Sequence, residues 1–105
     1  MTDLTKTFTA LGDDTRRAIL ARLALGETSL SEIAAPFEMS QTAVSKHVRV
    51  LSDAGLVHVT KRGRTRYCRL DADPIREAST WLESYRQFWT ESFESLARHI
   101  EENPE

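Results

Sequence analysis

Five side chains within a short stretch, Gln41, Thr42, Ser45, Lys46 and Arg49, share the outer face of a helix once the apolar Val44, Val48 and Leu51 are turned inward. They have the chemistry of base-edge readers. A glutamine amide can hold adenine at two points, a lysine reaches guanine or phosphate, and short hydroxyls bond either kind of edge. Ser40, just ahead of them, is a good N-cap, and the amides left free at such a helix start suit a phosphate oxygen. A polar helix face is, taken alone, only a solvated surface. The segment from Lys61 to Arg69 lifts it above that, because Lys61, Arg62, Arg64, Arg66 and Arg69 crowd around the turn glycine Gly63. Such cations repel one another, and they are well placed to lie along a phosphate backbone or to enter a minor groove.

Other chemistries find less support. The sequence has no glycine-rich phosphate loop, no acid and base paired at a useful spacing, and no nucleophile beside a histidine, so no catalytic residue and no enzyme is expected. His47, His58 and His99 fall in separate elements without metal-ligand spacing, so no metal site and no cofactor is expected; a cross-dimer site joining His99 and Glu102 is the alternative to a solvated helix end. Cys68 stands between Arg66 and Arg69, which would favour its thiolate and a redox switch, although a lone strand cysteine is more often a small hydrophobe.

A chain of 105 residues with a formal charge of −2 supports one core and no separate catalytic domain, so a single domain over 1–105 is expected. One cysteine, with no apolar run resembling a signal peptide or a membrane span, points to the cytoplasm and to no membrane partner. The near-neutral total hides an asymmetry. Residues 40–70 hold seven Lys or Arg against Asp53 alone, whereas residues 73–105 hold three arginines against eight acids. A basic middle and an acidic end would orient the molecule towards a polyanion.

Five helices and one hairpin must position these groups, a mainly α architecture with a small β-hairpin. Leu4, Phe8 and Leu11 make a stripe on the first helix; Asp13 or Asp14 caps the second, whose Ile19, Leu20 and Leu23 face inward before Gly26. Ser29-Leu30-Ser31-Glu32 reads as a capping box for a short third helix ended by Pro36, and Met39 with Val44 suits a hydrophobic staple on the fourth, which closes at Gly55. Two extended runs, 57–60 and 65–70, flank the basic turn. Asp73 and Pro74 form a cap-and-N1 pair for one long last helix, whose band from Trp81, Leu82, Tyr85, Phe88 and Trp89 to Ile100 is too wide for solvent. Aromatics at helical spacing form core or a dimer seam more often than an effector pocket, which favours a seam.

Three stretches, Phe8 to Leu20, Ser40 to Val48, and Leu51 to Val57, together with Gly63 and Tyr67, closely resemble the ArsR family of winged helix-turn-helix regulators in order and spacing over nearly the whole chain. Asp14 departs from the pattern, since proline is frequent there. The resemblance implies a bacterial, homodimeric repressor held by the first and last helices and bound to an inverted repeat in double-stranded DNA. It also implies where metal would sit. The two cysteines of the metal-sensing members correspond to Ser29 and Ser31, and a second family site of Asp and His corresponds to Ala72, Pro74, Tyr85 and Phe88, so both sites are erased.

The expectation is therefore a winged helix-turn-helix of five helices plus wing, with the helix-turn-helix at about 29–54, the wing at about 56–70 and dimerisation helices at about 3–11 and 74–101. Ser40, Gln41, Thr42, Ser45, Lys46, Arg49, Lys61, Arg62, Arg64 and Arg66 are the expected DNA contacts. Leu4, Phe8, Trp81, Tyr85, Phe88 and Trp89 are the expected dimer contacts. The function expected is a metal-independent repressor. The alternatives are a ligand- or thiol-responsive repressor of the same fold, and a winged-helix module that binds an acidic protein.

Overall fold

Side-chain caps start most of the helices in the computed structural model, which describes residues 3–102; the expected domain limits at 1 and 105 lie outside that range. Asp3 accepts the Lys6 amide at 3.2 Å and opens α1 (Leu4–Leu11); Asp13 accepts the Arg16 amide at 3.0 Å and opens α2 (Asp14–Leu23). A two-residue strand, β1 (Thr28–Ser29), leads directly into α3 (Leu30–Ala34). Only half of the expected capping box forms. The Ser29 hydroxyl accepts the Glu32 amide at 3.2 Å, but the Glu32 carboxylate takes the Thr28 hydroxyl, because the Ser29 backbone is paired with Tyr67 in the sheet. Ser40 caps α4 (Gln41–Asp53) through the Ala43 amide at 3.1 Å.

β2 (Val57–Arg62) and β3 (Thr65–Leu70) form the wing, turning at Gly63-Arg64 with Gly63 at φ +64°, a positive value that suits the first position of a two-residue hairpin loop. The sheet order is β1-β3-β2, antiparallel throughout, so the wing is rooted on the strand that enters α3. Two residues are too few to leave a strand signal in the sequence.

The core lies between α2, α3, α4 and the sheet. Ile19, Ile33, Val44, Leu51 and Leu56 are fully enclosed, each contributing about 1.5–3 kcal/mol by leaving water. On α1 the buried residues are Thr7 and Ala10, not the large apolar stripe. Ala10 allows close approach, and the Thr7 hydroxyl is satisfied by donating to the Asp3 carbonyl at 3.2 Å. Phe8 is left at the outer edge, 36% exposed, where its ring meets Trp81 edge to face with centroids 5.5 Å apart.

The single last helix expected over 74–101 is two helices, so the described residues hold six: α5 (Asp73–Glu83) and α6 (Arg86–Glu102). The Ser84 hydroxyl donates to the Trp81 carbonyl at 2.6 Å, and Ser84, Tyr85 and Phe88 amides bond carbonyls three residues back, which tightens and breaks the α-helical ladder. α5 also starts differently from expectation. Asp73 is its first residue, and Asp71 supplies the acceptor, taking the Asp73 amide at 3.0 Å. Among the described residues no helix is long and apolar enough to cross a membrane.

Candidate nucleic-acid interface

Between α4 and the wing runs an open groove of about 630 Å³, lined by Gln41, Thr42, Ser45, Lys46 and Arg49 from one side and by Arg64, Thr65 and Arg66 from the other, with Leu30 and Ser31 of α3 between them. The fold thus brings the two polar sets read from the sequence onto one surface. Val44, Val48 and Leu51 are buried, which turns the intervening residues outward as the helical period requires. All eight polar lining residues from α4 and the wing are exposed or half-buried. Ser40 stands at the mouth of the helix, its hydroxyl committed to capping.

The wing cations divide by strand alternation. Lys61 lies opposite Arg66, and Val59 opposite Cys68, so these four share the sheet face that carries the buried Cys68. Arg62 and Arg69 point to the other face. Arg62 is paired with Glu27 and lies over the Tyr67 ring, 4.1 Å from its centroid, and it does not line the groove. Arg69 neighbours Asp71, whose carboxyl is held below the usual carboxylate range first by the Asp73 amide and then by His58. The His58 Nε2 to Asp71 Oδ2 distance is 2.7 Å.

Cys68 is fully buried, and burial pushes its thiol pKa up. The expectation that Arg66 and Arg69 favour its thiolate is therefore corrected: Arg69 is on the opposite face, and desolvation by burial raises the thiol pKa. Ser29 caps α3 and Ser31 is an exposed groove residue, while among the described residues no group of three or more His, Cys, Asp or Glu is placed to hold a metal ion. The Glu102 side chain of the alternative site with His99 lies outside the described residues.

The expected dimer contacts form a separate surface. Trp81 and Tyr85 rings sit 5.1 Å apart, continuing the Phe8 contact, and Phe88 (75% exposed) and Trp89 (38%) extend it along α6. Leu4 is half-buried on α1.

Several contacts beside this site have no sequence signal, because they depend on how α1, α2 and α4 pack against one another. Arg16 bonds the Ala10 and Thr9 carbonyls, Arg17 the Leu11 carbonyl at 2.6 Å, and Arg16 also meets His47 of α4. The one hint for His47 in the sequence is its place beside Val48 and one turn from Val44, at the border of the buried stripe.

A family model described as a helix-turn-helix domain matches residues 11–60. The HTH-type transcriptional regulator Rv2034 of Mycobacterium tuberculosis is 38% identical over 92 residues, covering 88% of this chain and 83% of the relative. The transcriptional repressor SdpR of Bacillus subtilis is 29% identical over 71% of this chain and 83% of its own length. Among solved structures, the ArsR family transcriptional regulator RHA00566 superposes with a TM-score of 0.78 at 36% identity, covering 86% of this chain and 97% of that one. The homodimeric winged helix-turn-helix DNA-binding domain Mb0332 of Mycobacterium bovis superposes with a TM-score of 0.64 at 27% identity, covering 79% and 80%.

Proposed function

This chain belongs to the ArsR family of winged helix-turn-helix transcriptional regulators, and we propose that it is a homodimeric, cytoplasmic repressor that binds an inverted-repeat operator without needing a metal ion. The observation that carries this reading is the groove between α4 and the wing, where Gln41, Thr42, Ser45, Lys46 and Arg49 face Arg64 and Arg66. A recognition helix in a major groove would set its N-terminal side chains on base edges, while wing cations follow the adjacent phosphates. Lys61 would reach the backbone beside Arg66.

The aromatic surface supports two-fold symmetry. Large rings exposed on α5 and α6 are costly in water, and a second copy covers them with an identical patch. Mb0332, homodimeric by its description, supports this. Repression requires only that the bound dimer occupy a promoter, and the similarity to SdpR, named a repressor, agrees. Metal independence is supported by Ser29 and Ser31 in place of thiolates. The buried Cys68, with its raised pKa, argues against a thiol trigger.

The test is retardation of a fragment of the protein's own promoter. Binding is expected in chelator, with affinity falling steeply as salt rises and half-site centres about one helical turn or a multiple of it apart. Binding that appears only with added metal overturns metal independence. Full binding by the double variant Lys46→Ala and Arg64→Ala overturns the assignment of the groove and favours a protein-binding module.

A further inference from the structure

Where α1 ends, α2 begins and α4 passes, one guanidinium touches all three. Arg16 Nε donates to the Ala10 carbonyl at 2.7 Å, Nη2 donates to the Thr9 carbonyl at 3.0 Å, and Nη1 lies 3.3 Å from Nδ1 of His47. A guanidinium has donors only, so a hydrogen bond at this contact requires Nδ1 to accept, that is, an imidazole carrying its one proton on Nε2. The same Nδ1 lies 3.8 Å from Oδ2 of Asp13, beyond hydrogen-bond reach. Protonation would set N–H against N–H and bring a second positive charge up to Arg16. Asp13 is then the available acceptor, and the ring must leave Arg16 to reach it.

We propose that His47 is a positioning residue for DNA recognition: its neutral ring, by accepting from Arg16, fixes α4 against the α1–α2 junction, and its protonation releases that hold and weakens specific binding. The proposal rests on the reading of α4 as the helix that enters the groove of DNA. His47 directly follows Lys46 and lies two residues before Arg49, both of which line the groove, so a displacement at His47 moves groove residues although His47 itself does not line it. Histidine is the side chain suited to such a change near neutral pH.

The charged groups around His47 favour this partition. From the α2 side they are Asp13 and Arg16, and Asp13 is kept below the usual carboxylate range mainly by the Arg16 amide, so it stays available to a protonated ring. Arg17 and Arg22 of α2 bond the Leu11 and Gly26 carbonyls. α1 brings Lys6, which lines another hollow with Asp53 of α4; Glu32 of α3 holds Thr28, and His58 of β2 holds Asp71. On α4 itself Lys46 and Arg49 open onto the groove.

The experiment uses the full chain, with fluorescence anisotropy of a duplex enriched from a random library by the protein at about pH 8, and an unrelated duplex of equal length as reference. For the wild type, the ratio of specific to reference affinity is expected to fall about tenfold between about pH 8 and pH 5.5, the scale of losing one hydrogen bond to a charged group. In His47→Asn the amide oxygen can still accept from Arg16 and does not titrate, so the pH 8 ratio should be kept and the profile should be flat. His47→Ala should be weak at both ends. A flat wild-type profile, or the same fall in His47→Asn, overturns the role of His47 while leaving the DNA-reading assignment intact. Failure to enrich any duplex overturns that assignment and this proposal together.

Discussion

Arg62 lies over the ring of Tyr67, 4.1 Å from its centroid, and its charge is answered by Glu27 beside the entry to β1. This arginine of the basic run is thus committed to the wing's own architecture, on the face away from the groove. In sequence it is indistinguishable from Arg64 and Arg66.

The first prediction separates these cations. Arg64→Ala and Arg66→Ala should each weaken DNA binding and reduce the slope of log affinity against log salt by about one, as removal of one phosphate contact requires. Arg62→Ala should leave that slope unchanged. Its ion pair is largely solvated, so the stability lost should stay within about 1 kcal/mol. Anisotropy titrations at several salt concentrations decide the matter, and an equal slope change for all three variants would show that Arg62 leaves Tyr67 to meet phosphate.

A second prediction concerns the ring stack of Phe8, Trp81 and Tyr85. Phe8→Glu places a charge on a surface that the proposed dimer would bury, so it should give a monomer at micromolar concentrations by sedimentation equilibrium. The wild type should be dimeric there, with a melting temperature that rises with protein concentration. DNA affinity should fall with dimerisation, since each copy then holds one half-site unaided. A dimeric Phe8→Glu would move the interface elsewhere.

The third prediction follows from Cys68, fully enclosed beneath the wing. Its thiol should react with alkylating reagents far more slowly in the native protein than in the denatured one. Because burial raises its pKa, the unfolded chain releases the thiol proton first as pH climbs, so stability should decline once pH passes the ordinary thiol range. Cys68→Ala should remove that alkaline decline in a urea titration repeated across pH. It should also lower stability at neutral pH by about 1 kcal/mol, because removing the sulfur leaves a small void beneath the wing.

Much of this molecule is legible in the sequence because its local rules agree with its fold. The caps at Asp13, Ser29 and Ser40, the stripe Val44-Val48-Leu51 and the turn at Gly63 are each set by neighbours a few residues away, and each takes the expected place. The groove is legible for the same reason, since helical and strand periodicity decide which side chains face outward. What escapes the sequence depends on a choice among local bonding options or on distant partners. Nothing near Ser84 in the chain announces that its hydroxyl will take the Trp81 carbonyl and divide the last helix, and nothing near Arg62 names Glu27. The burial of Thr7 and Ala10 in place of Phe8 likewise reflects how closely α1 must approach its neighbours.

The last prediction tests the joint between the wing and α5. Asp71 accepts the Asp73 amide at 3.0 Å, which starts α5, and holds His58 of β2 at 2.7 Å, so one carboxylate fastens the end of the wing to the helix bearing Trp81. Both contacts favour its charged form and lower its pKa in the folded state, the backbone amide most of all. The stability this supplies is present above the unfolded carboxyl value and is lost as pH falls through the lower, folded one. Asp71→Ala should therefore lower the melting temperature at pH 7 and bring it closer to its value at acid pH, flattening that limb of the curve. Asp71→Asn can still accept one hydrogen bond at the helix start and should recover part of the loss. If Asp71→Ala melts as the wild type does at both pH values, the two contacts contribute nothing to the joint, which still keeps the Asp71 amide on the Leu56 carbonyl at 2.8 Å.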